Sequence, residues 1–222
     1  RDQPRSRGLG DVYKRQKYNV EFVSANPTGP MHMGNARGGA LGDCLAAVLD
    51  WSGYDVTREF YINDAGNQIE KFAKSLEARY LQIIKGEDAV EFPEDGYHGD
   101  DIRELARAFY EKEGDKYLDC DEKTRHDALA RFGLDNNIPK MQRDLARYGI
   151  QYDQWFFESS LHESGYVADT VAALTDKLQN AAAGIIVDYK GITVAEDTAL
   201  RAKCRENDIE YTVIKNTLLR FA

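Results

Sequence analysis

The chain has 222 residues, 42% of them hydrophobic, which is enough to bury a core in one large domain or two small ones. No run of eighteen apolar residues predicts a membrane span and nothing predicts a secretory signal, so the expected location is cytoplasmic. The net charge of −9 argues against a surface devoted to gripping phosphates. The three cysteines are widely separated: Cys44, Cys120 and Cys204. Their spacing suggests neither a disulfide framework nor a zinc knuckle, and no metal site is expected.

Charge is spread unevenly along the chain. Residues 1–16 carry five basic and two acidic side chains, residues 17–177 have a net charge of −12, and residues 178–222 are neutral. The first sixteen residues show neither the period of a strand nor that of a helix, so no secondary structure is expected there. Two interpretations stay open for this segment: an assembly scar, or a disordered basic tail that contacts tRNA phosphates.

The remaining pattern predicts an α/β chain. Val20, Phe22 and Val23 form a short apolar strand, and the loop after it contains prolines and glycines. One face of the next helix is predicted to be apolar: Ala40, Leu41, Cys44, Leu45, Val48 and Leu49. The predicted elements are strands 18–24, 55–62, 155–158, 185–189 and 210–215, and helices 36–51, 65–84, 101–117, 121–148, 165–177 and 194–207, with a helix start at 216–217. The first strand, helix and second strand form a parallel βαβ unit.

The loop SANPTGPMHMGN, residues 24–35, carries the chemistry because it lies between a strand and a helix. Glycines let backbone approach a phosphate or a nucleobase, and free N–H groups at a helix start favour negative charge. His32 stands beside that anion site, where a ring N–H can donate to a phosphate oxygen. Ser24 and Asn26 can hold an amino group and a carboxylate, and Glu21 can face a cationic substrate.

The glycine spacing excludes two common phosphate motifs, since there is no GKS or GKT and no GxGxxG. Instead, His32-Met33-Gly34-Asn35 resembles the "HIGH" element of class I aminoacyl-tRNA synthetases. With the preceding SANPTGP and the later NDAGNQI at residues 63–69, the resemblance is to the arginine-tRNA ligase family, over about residues 17–177. It implies an incomplete Rossmann-like (HUP-type) parallel sheet with a helical insertion at about 85–150. A generic nucleotidyl transferase would be favoured if NDAGNQI did not line the cleft.

The resemblance also implies a reaction and site residues. ATP, accompanied by Mg²⁺, activates arginine, and the arginyl group passes to tRNA-Arg. The residues implied in catalysis are His32, Gly34 and Asn35; in ATP binding Gly29, Pro30, His32, Gly34 and Asn35; in arginine binding Glu21, Ser24 and Asn26. Asn35 departs from the family pattern, which has a second histidine there, so an amide would have to donate from this position.

Other candidates are weaker. His98 lies among acids in a loop and is expected to be a solvated loop residue rather than a metal ligand. His126 is expected on an exposed helix with no function, whereas His162 follows a strand end and could face the cleft. Trp155-Phe156-Phe157 is expected to be core rather than a stacking platform.

From residue 178 the resemblance changes. The sequence runs DYKGITV and VIKNTLLRFA are similar to the N-terminal part of ribosomal protein ten of the large subunit, the stalk-base protein. Residues 178–222 are therefore expected to form a small α/β fragment. That likeness implies 23S rRNA binding, with Lys190, Lys215 and Asn216 as candidate contacts.

Three domains are therefore expected, at 1–16, 17–177 and 178–222. No linker separates the last two, which predicts a chimeric fragment without the KMSKS loop and the anticodon-binding domain. We expect a monomer that has lost the ligase activity of its parent family. The alternative function is that of an rRNA-binding ribosomal protein.

Overall fold

The computed structural model describes residues 16–222. The segment 1–15, to which the scar or tail prediction applies, lies outside the described residues. The chain divides into two compact units, the first ending at Ser160 and the second running from Leu161 to Ala222.

The first unit is built on a three-stranded parallel sheet. Its strands are β1 (Lys17–Glu21), β2 (Asp55–Ile62) and β3 (Gln154–Phe157), in the order β1-β2-β3. In the registers, Glu21 is opposite Glu59 and Ile62 is opposite Phe157. Strand β2 is central, and its Phe60 and Ile62 are fully buried. The predicted parallel α/β architecture is confirmed.

Helix α1 (Met33–Trp51) joins β1 to β2, but it does not bury the face predicted for it. Its buried residues are the small ones, Gly39, Gly42 and Ala46, while Leu41, Leu45, Val48 and Trp51 are exposed. The reason is close approach: a Cβ at Gly42 would lie 2.3 Å from the Phe22 ring, and one at Gly39 2.7 Å from Ile150. The small residues thus let the helix backbone approach the sheet.

Three further helices complete this unit: α2 (Asn67–Lys85), α3 (Asp100–Glu113) and α4 (Glu122–Tyr148), with a 3₁₀ turn at Glu87–Ala89. They enclose a core cluster of their own: Phe72, Leu76, Tyr80, Ile102, Ala106, Phe109 and Leu129. The last turns of α4 then return to the sheet, where Met141 and Leu145 pack with Phe22, Phe60 and Ile62. The insertion is therefore anchored at its C-terminal end by the core of the sheet.

The second unit is helical in the structure. Helix α5 (Ser159–Glu163) spans the division between the units, and α6 (Tyr166–Asn180), α7 (Val194–Glu206) and α8 (Asn216–Phe221) follow. The strands predicted at 185–189 and 210–215 are wrong, because neither segment joins a ladder within residues 16–222. A strand needs a partner for its backbone N–H and C=O groups, and no pairing between these two segments supplies one.

Among the helices formed by residues 16–222, none combines the length and the apolar character needed to cross a membrane.

Candidate functional site

The candidate site lies at the edge where the three parallel strands end. Glu21 is the last residue of β1, Asp64 comes two residues after β2, and Glu158 directly follows β3. Since the carboxyl ends of parallel strands share one edge of a sheet, three carboxylates come to the same region. The loop 22–32 leaves this edge and leads into α1.

The loop begins with a strained turn. Val23 and Ser24 have φ angles of 68° and 40°, which residues with a Cβ seldom adopt and a β-branched valine least of all. The Ser24 N–H donates to the Phe22 carbonyl at 3.0 Å, closing a three-residue turn around Val23. Strain of this kind persists where surrounding contacts enforce it, and it is concentrated at functional sites.

The turn positions the hydroxyl of Ser24. Its Oγ donates to Glu21 Oε1 at 2.7 Å and accepts from the Tyr61 backbone N–H at 3.1 Å. The Ser24 hydroxyl thereby accepts from β2 in the place of a backbone carbonyl, because β1 has already ended and turned away at this point. Glu21 is fixed by this bond, and Ser24 keeps one acceptor lone pair for a ligand.

The edge around Tyr61 is electrostatically negative. Burial raises the pKa of the Tyr61 hydroxyl, and the neighbouring charges of Glu158, Asp64 and Glu21 raise it further. Asp64 accepts from Ser159 N and Oγ at 2.9 and 2.6 Å, which fixes its carboxylate. An edge with three carboxylates and a neutral phenol favours a cationic ligand group.

The NDAGNQI segment lies beside the loop. Asn26 Nδ2 donates to Gln68 Oε1 at 3.2 Å, and the Tyr97 hydroxyl donates to the same oxygen at 2.9 Å. Asn63, with its amide nitrogen toward Glu158, donates to Glu158 Oε2 at 2.8 Å. The second motif therefore touches both the loop and the acidic edge, as the synthetase interpretation requires.

The middle of the loop is anchored to α4. Pro27 is fully buried, Thr28 is 7% exposed, and the Pro27 carbonyl accepts from buried Asn137 Nδ2 at 2.9 Å. Gly29 and Pro30 come next, and a Cβ at Gly29 would reach 3.4 Å from Asp101 Oδ2. The loop is thus held at its centre while its flanking polar residues stay accessible.

His32 caps helix α1. Its Nδ1 accepts from the Gly34 N–H at 3.1 Å, and Asn35 Oδ1 accepts from the His32 N–H at 2.9 Å, which makes a reciprocal capping box. Because Nδ1 acts as an acceptor, a neutral ring carries its proton on Nε2. The exposed imidazole therefore presents an N–H donor at the helix start, where backbone N–H groups also favour an anion.

Gly34 and Asn35 support that arrangement. A Cβ at Gly34 would lie 2.9 Å from His32 Cε1 and 3.0 Å from Nδ1, so the ring requires a glycine beneath it. Asn35 uses its amide oxygen in the cap, and among residues 16–222 its Nδ2 has no hydrogen-bond partner. The amide nitrogen is thus available to a ligand even though the second motif histidine is absent.

The structure brings Glu21 and Ser24 into direct contact, joins Asn26 to α2, and places His32, Gly34 and Asn35 together at the start of α1. The predicted RNA contacts belong to the second unit. Lys190 is exposed and its N–H donates to Asp188 Oδ1 at 3.1 Å, whereas Lys215 caps α8 and Asn216 begins it, both exposed.

Sequence reasoning missed Tyr61, Asp64, Glu158, Gln68 and Tyr97 as parts of the site. Asp64 and Glu158 could have been found, because both follow strand ends on the edge that carries Glu21. His126 was misjudged: its side chain is 17% exposed, and Nε2 lies 2.6 Å from Glu77 Oε2. The histidine faces α2 rather than solvent.

This strand-loop-helix unit, with a capping imidazole at the helix start and an acidic strand edge, defines a nucleotide-binding α/β fold of the synthetase kind. Comparison with known proteins agrees. The profile described as "tRNA synthetases class I (R), catalytic domain" matches residues 6–157. The chain belongs to this family. A second profile, "Ribosomal protein L10", matches residues 168–222.

Individual relatives point the same way. The arginine–tRNA ligase of Acetivibrio thermocellus is 59% identical over 167 residues, which are 75% of this chain and 30% of that protein. The corresponding ligase of Ruminiclostridium cellulolyticum is 62% identical over 170 residues, 77% of this chain and 30% of that protein. The chain thus spans about 30% of the length of these curated relatives.

A solved structure described as an arginyl-tRNA synthetase from Campylobacter jejuni superposes with a TM-score of 0.61 and 26% identity. The match covers 89% of this chain and 48% of that one.

Proposed function

We propose that residues 17–177 supply part of the arginine- and ATP-binding region of an arginine–tRNA ligase. In the complete reaction the arginine carboxylate attacks the α-phosphate of ATP, giving arginyl-adenylate and pyrophosphate. A terminal ribose hydroxyl of tRNA-Arg then accepts the arginyl group. The observation that carries this proposal is the Glu21 carboxylate, fixed by Ser24 at an edge that Asp64 and Glu158 also line.

Arginine recognition follows from that edge. Glu21 accepts from the guanidinium, whose planar donors suit a carboxylate, and the surrounding negative charge strengthens the pairing. Ser24 offers its remaining lone pair to the α-amino group, while Asn26 can donate to the carboxylate if Gln68 releases it. Ser24 therefore acts both as a ligand residue and as the group that positions Glu21.

ATP binding is assigned to the start of α1. His32 Nε2–H and Asn35 Nδ2 are donors of the kind that a phosphate requires, and both lie at the start of α1, where the helix dipole favours negative charge. Gly29 and Pro30 lie in the loop that approaches the nucleotide. Mg²⁺ accompanies ATP and offsets part of the phosphate charge. Catalysis is by position and electrostatics, so no side chain of the chain serves as a covalent nucleophile.

The arginine assignment can be tested on the 222-residue chain by NMR titration, which detects weak binding. Arginine should shift the amide signals of Glu21 and Tyr61, and citrulline, an uncharged analogue of similar shape, should bind at least about tenfold more weakly. Glu21→Gln should remove that preference, whereas Glu91→Gln, away from the edge, should keep it. Equal binding of citrulline and arginine to the unmodified chain would refute the assignment.

The ATP assignment has its own variant. Gly34→Ala places a methyl group against the His32 ring, so the ring must leave the cap and the donor at the helix start is misplaced. We expect ATP binding to fall by roughly tenfold with arginine binding unchanged. Gly38→Ala is the matched control, because a Cβ there meets nothing within 4 Å. If Gly38→Ala weakened ATP binding as much as Gly34→Ala, the role given to His32 would be wrong.

We also propose that the 222-residue polypeptide does not arginylate tRNA by itself, since it spans about 30% of the related ligases. The assay is incorporation of labelled arginine into tRNA-Arg, with a complete relative as the positive control. Incorporation above background by this chain alone would overturn the proposal. We further propose that the chain is cytoplasmic and monomeric.

The organisation of the chain is proposed as a scar or tail at 1–16, a partial catalytic core at 17–177 with its insertion at about 85–150, and a ribosomal fragment at 178–222. Support for a chimera comes from the two profiles, which match 6–157 and 168–222 and share no residue. Sequencing the source DNA across codons 170–185 tests it. Intact reads through the join would contradict a chimera that arose in assembly.

The second candidate function is rRNA binding, favoured by the profile match at 168–222. Lys190, Lys215 and Asn216 are exposed and chemically suited to phosphate contacts. A 23S rRNA stalk-base fragment should bind the chain, and replacing both lysines with glutamine should abolish binding. Replacing the pair Lys71 and Lys74 of the first unit is the control for general charge effects. Loss of binding in the control alone would exclude residues 178–222 as the RNA contact.

A further inference from the structure

A cavity outside the proposed active site opens between α2, the start of α4 and the segment 90–93. Its volume is about 210 Å³. The ionisable side chains that line it are Lys74, Glu77, Glu91 and Glu122, three carboxylates and one ammonium group. The cavity is therefore net negative and suited to a cation.

Beside the cavity, an imidazole joins two of those carboxylates. His126 Nε2 lies 2.6 Å from Glu77 Oε2 and 3.8 Å from Glu122 Oε1. One ligand atom from each of the three residues falls within 4.8 Å of the other two. Glu122 and His126 are one turn apart on α4, and Glu77 faces them from α2, so facing helices supply the ligand atoms.

Arg125 fixes the carboxylate at the centre of this group. Its Nε donates to Glu77 Oε1 at 2.6 Å, and its Nη1 donates to the carbonyls of Tyr117, Leu118 and Cys120 at 3.0 to 3.2 Å. One oxygen of Glu77 is thus held by a cation that is itself fixed, and the other is directed at His126. Carboxylates that ligate metals are commonly oriented by such outer hydrogen bonds.

We propose that Glu77, Glu122 and His126 form a binding site for a divalent transition-metal ion, with Zn²⁺ as the best match and water completing the coordination. A mixed set of one imidazole and two carboxylates favours Zn²⁺ over Mg²⁺ or Ca²⁺, which prefer oxygen ligands throughout. The site contains no cysteine, so the cysteine spacing of the sequence could not reveal it.

The geometry needs two adjustments. Ligand atoms at about 2.0 to 2.2 Å from a tetrahedral Zn²⁺ lie roughly 3.4 Å apart. The 2.6 Å contact between Glu77 and His126 must therefore widen by several tenths of an ångström. Glu122, whose side chain is 71% exposed, must close in, and it can do so without disturbing packed neighbours.

An ion-pair network without metal is the competing explanation, and measurement can distinguish the two. In the network without metal, a hydrogen on His126 Nε2 joins the ring to Glu77, whereas a metal takes the place of that hydrogen. Metal binding would also join α2 to α4 and stabilise the folded chain in proportion to metal concentration.

The test uses the full 222-residue chain after chelation, with Zn²⁺ in calorimetric titration and Co²⁺ as a visible-absorption probe. We expect one site per chain and d–d bands of a four- or five-coordinate ion. Glu122→Gln should weaken Zn²⁺ binding at least about tenfold, and His126→Gln should abolish the single site. Zn²⁺ should raise the Tm of the unmodified chain and not that of His126→Gln.

Two controls separate this site from adventitious binding. His98→Gln removes a different histidine, and Glu91→Gln removes a carboxylate of the same cavity that is outside the ligand set; each should change affinity by less than about twofold. If His126→Gln fails to fold, Glu122→Gln decides, because its side chain is exposed. Unchanged affinity in Glu122→Gln, or no Zn²⁺ binding by the unmodified chain up to millimolar concentration, would overturn the proposal.

Discussion

Residues 16–160 and residues 161–222 are equally rich in predicted elements but differ in what those elements bury. In the first region, two clusters of large side chains are closed to solvent around the central strand β2 and helix α2. Among the described residues 161–222, Cys204 is the one buried hydrophobic side chain, and Ile185 and Ile186 are 87% and 84% exposed.

The difference shows which part of folding is local. Helices α6, α7 and α8 form near their predicted places because their backbone bonds are made within the segment. Residues 185–189 and 210–215 have the composition of strands, yet a strand depends on a neighbour that its own sequence does not provide. A hydrophobic pattern therefore predicts a strand only where a partner is available.

The largest expected contrast is in amide hydrogen exchange. Amides of β2 that bond to β1 and β3 should exchange only through extensive unfolding, with protection of roughly a thousandfold or more. Amides of residues 185–189 should exchange at nearly the rate of an unstructured peptide. Native-state exchange followed by NMR or mass spectrometry makes the measurement. Equal protection of both segments would show that residues 185–189 join a ladder after all.

A matched pair of phenylalanine variants tests burial in the two regions. Phe60 is fully buried and stacks on Trp155 at 4.6 Å between ring centroids, so Phe60→Ala should lower the free energy of unfolding by about 3 to 5 kcal/mol. Phe221 is 73% exposed, and Phe221→Ala should stay within about 0.5 kcal/mol. Urea unfolding followed by circular dichroism compares them, and similar losses in the two variants would contradict the contrast.

Sequence reasoning succeeded where one strong signal decided the structure. Strand β2 was predicted with the bounds that the structure has, because β-branched and aromatic residues fill it between turn signals. Helix α1 was predicted to start at Ala36, three residues late. Its cap is His32, which is not among the residues that ordinarily mark a helix start.

For the candidate site, the sequence located the loop but not its internal geometry. The turn at Val23 and Ser24 could not be anticipated, since valine has no preference for a positive φ and tertiary contacts impose it. The buried face of α1 was predicted wrongly for a related reason. Apolar residues were expected to face the sheet, whereas Phe22 and Ile150 lie so close to Gly42 and Gly39 that a Cβ at either glycine would clash.

A smaller contrast involves two asparagines. Asn137 is 9% exposed and donates to the Pro27 carbonyl, so Asn137→Ala leaves a buried acceptor unpaired and should cost about 1 to 3 kcal/mol. Asn180, an exposed residue of the second region, donates to Asp176 O on its own helix, and Asn180→Ala should cost less than about 0.5 kcal/mol. Thermal unfolding of both variants gives the comparison. A silent Asn137→Ala would mean that water satisfies the Pro27 carbonyl.

The smallest expected effect depends on pH and involves a buried tyrosine of the packed region. Tyr152 contacts Phe22 and Phe60 and donates to the Phe22 carbonyl at 3.1 Å, and burial raises the pKa of its hydroxyl above the usual 10.0. A group whose pKa is raised on folding contributes stability below its unfolded pKa and loses it as pH rises through the folded value. Tyr152 should therefore make the chain less stable above pH 10, at up to about 1.4 kcal/mol per pH unit.

Tyr152→Phe isolates that contribution from the other groups that titrate in alkali. Near pH 7 the variant should lose about 0.5 to 1.5 kcal/mol with the hydrogen bond to Phe22. Above pH 10 the unmodified chain should lose stability as Tyr152 releases its proton on unfolding, and phenylalanine has no proton to release. The difference in free energy of unfolding between the variant and the unmodified chain should therefore shrink with each increment of pH. Urea unfolding at pH 7, 9, 10 and 11 measures it. A deficit that stays constant across this range would show that the Tyr152 hydroxyl titrates in the folded state as it does in the unfolded chain.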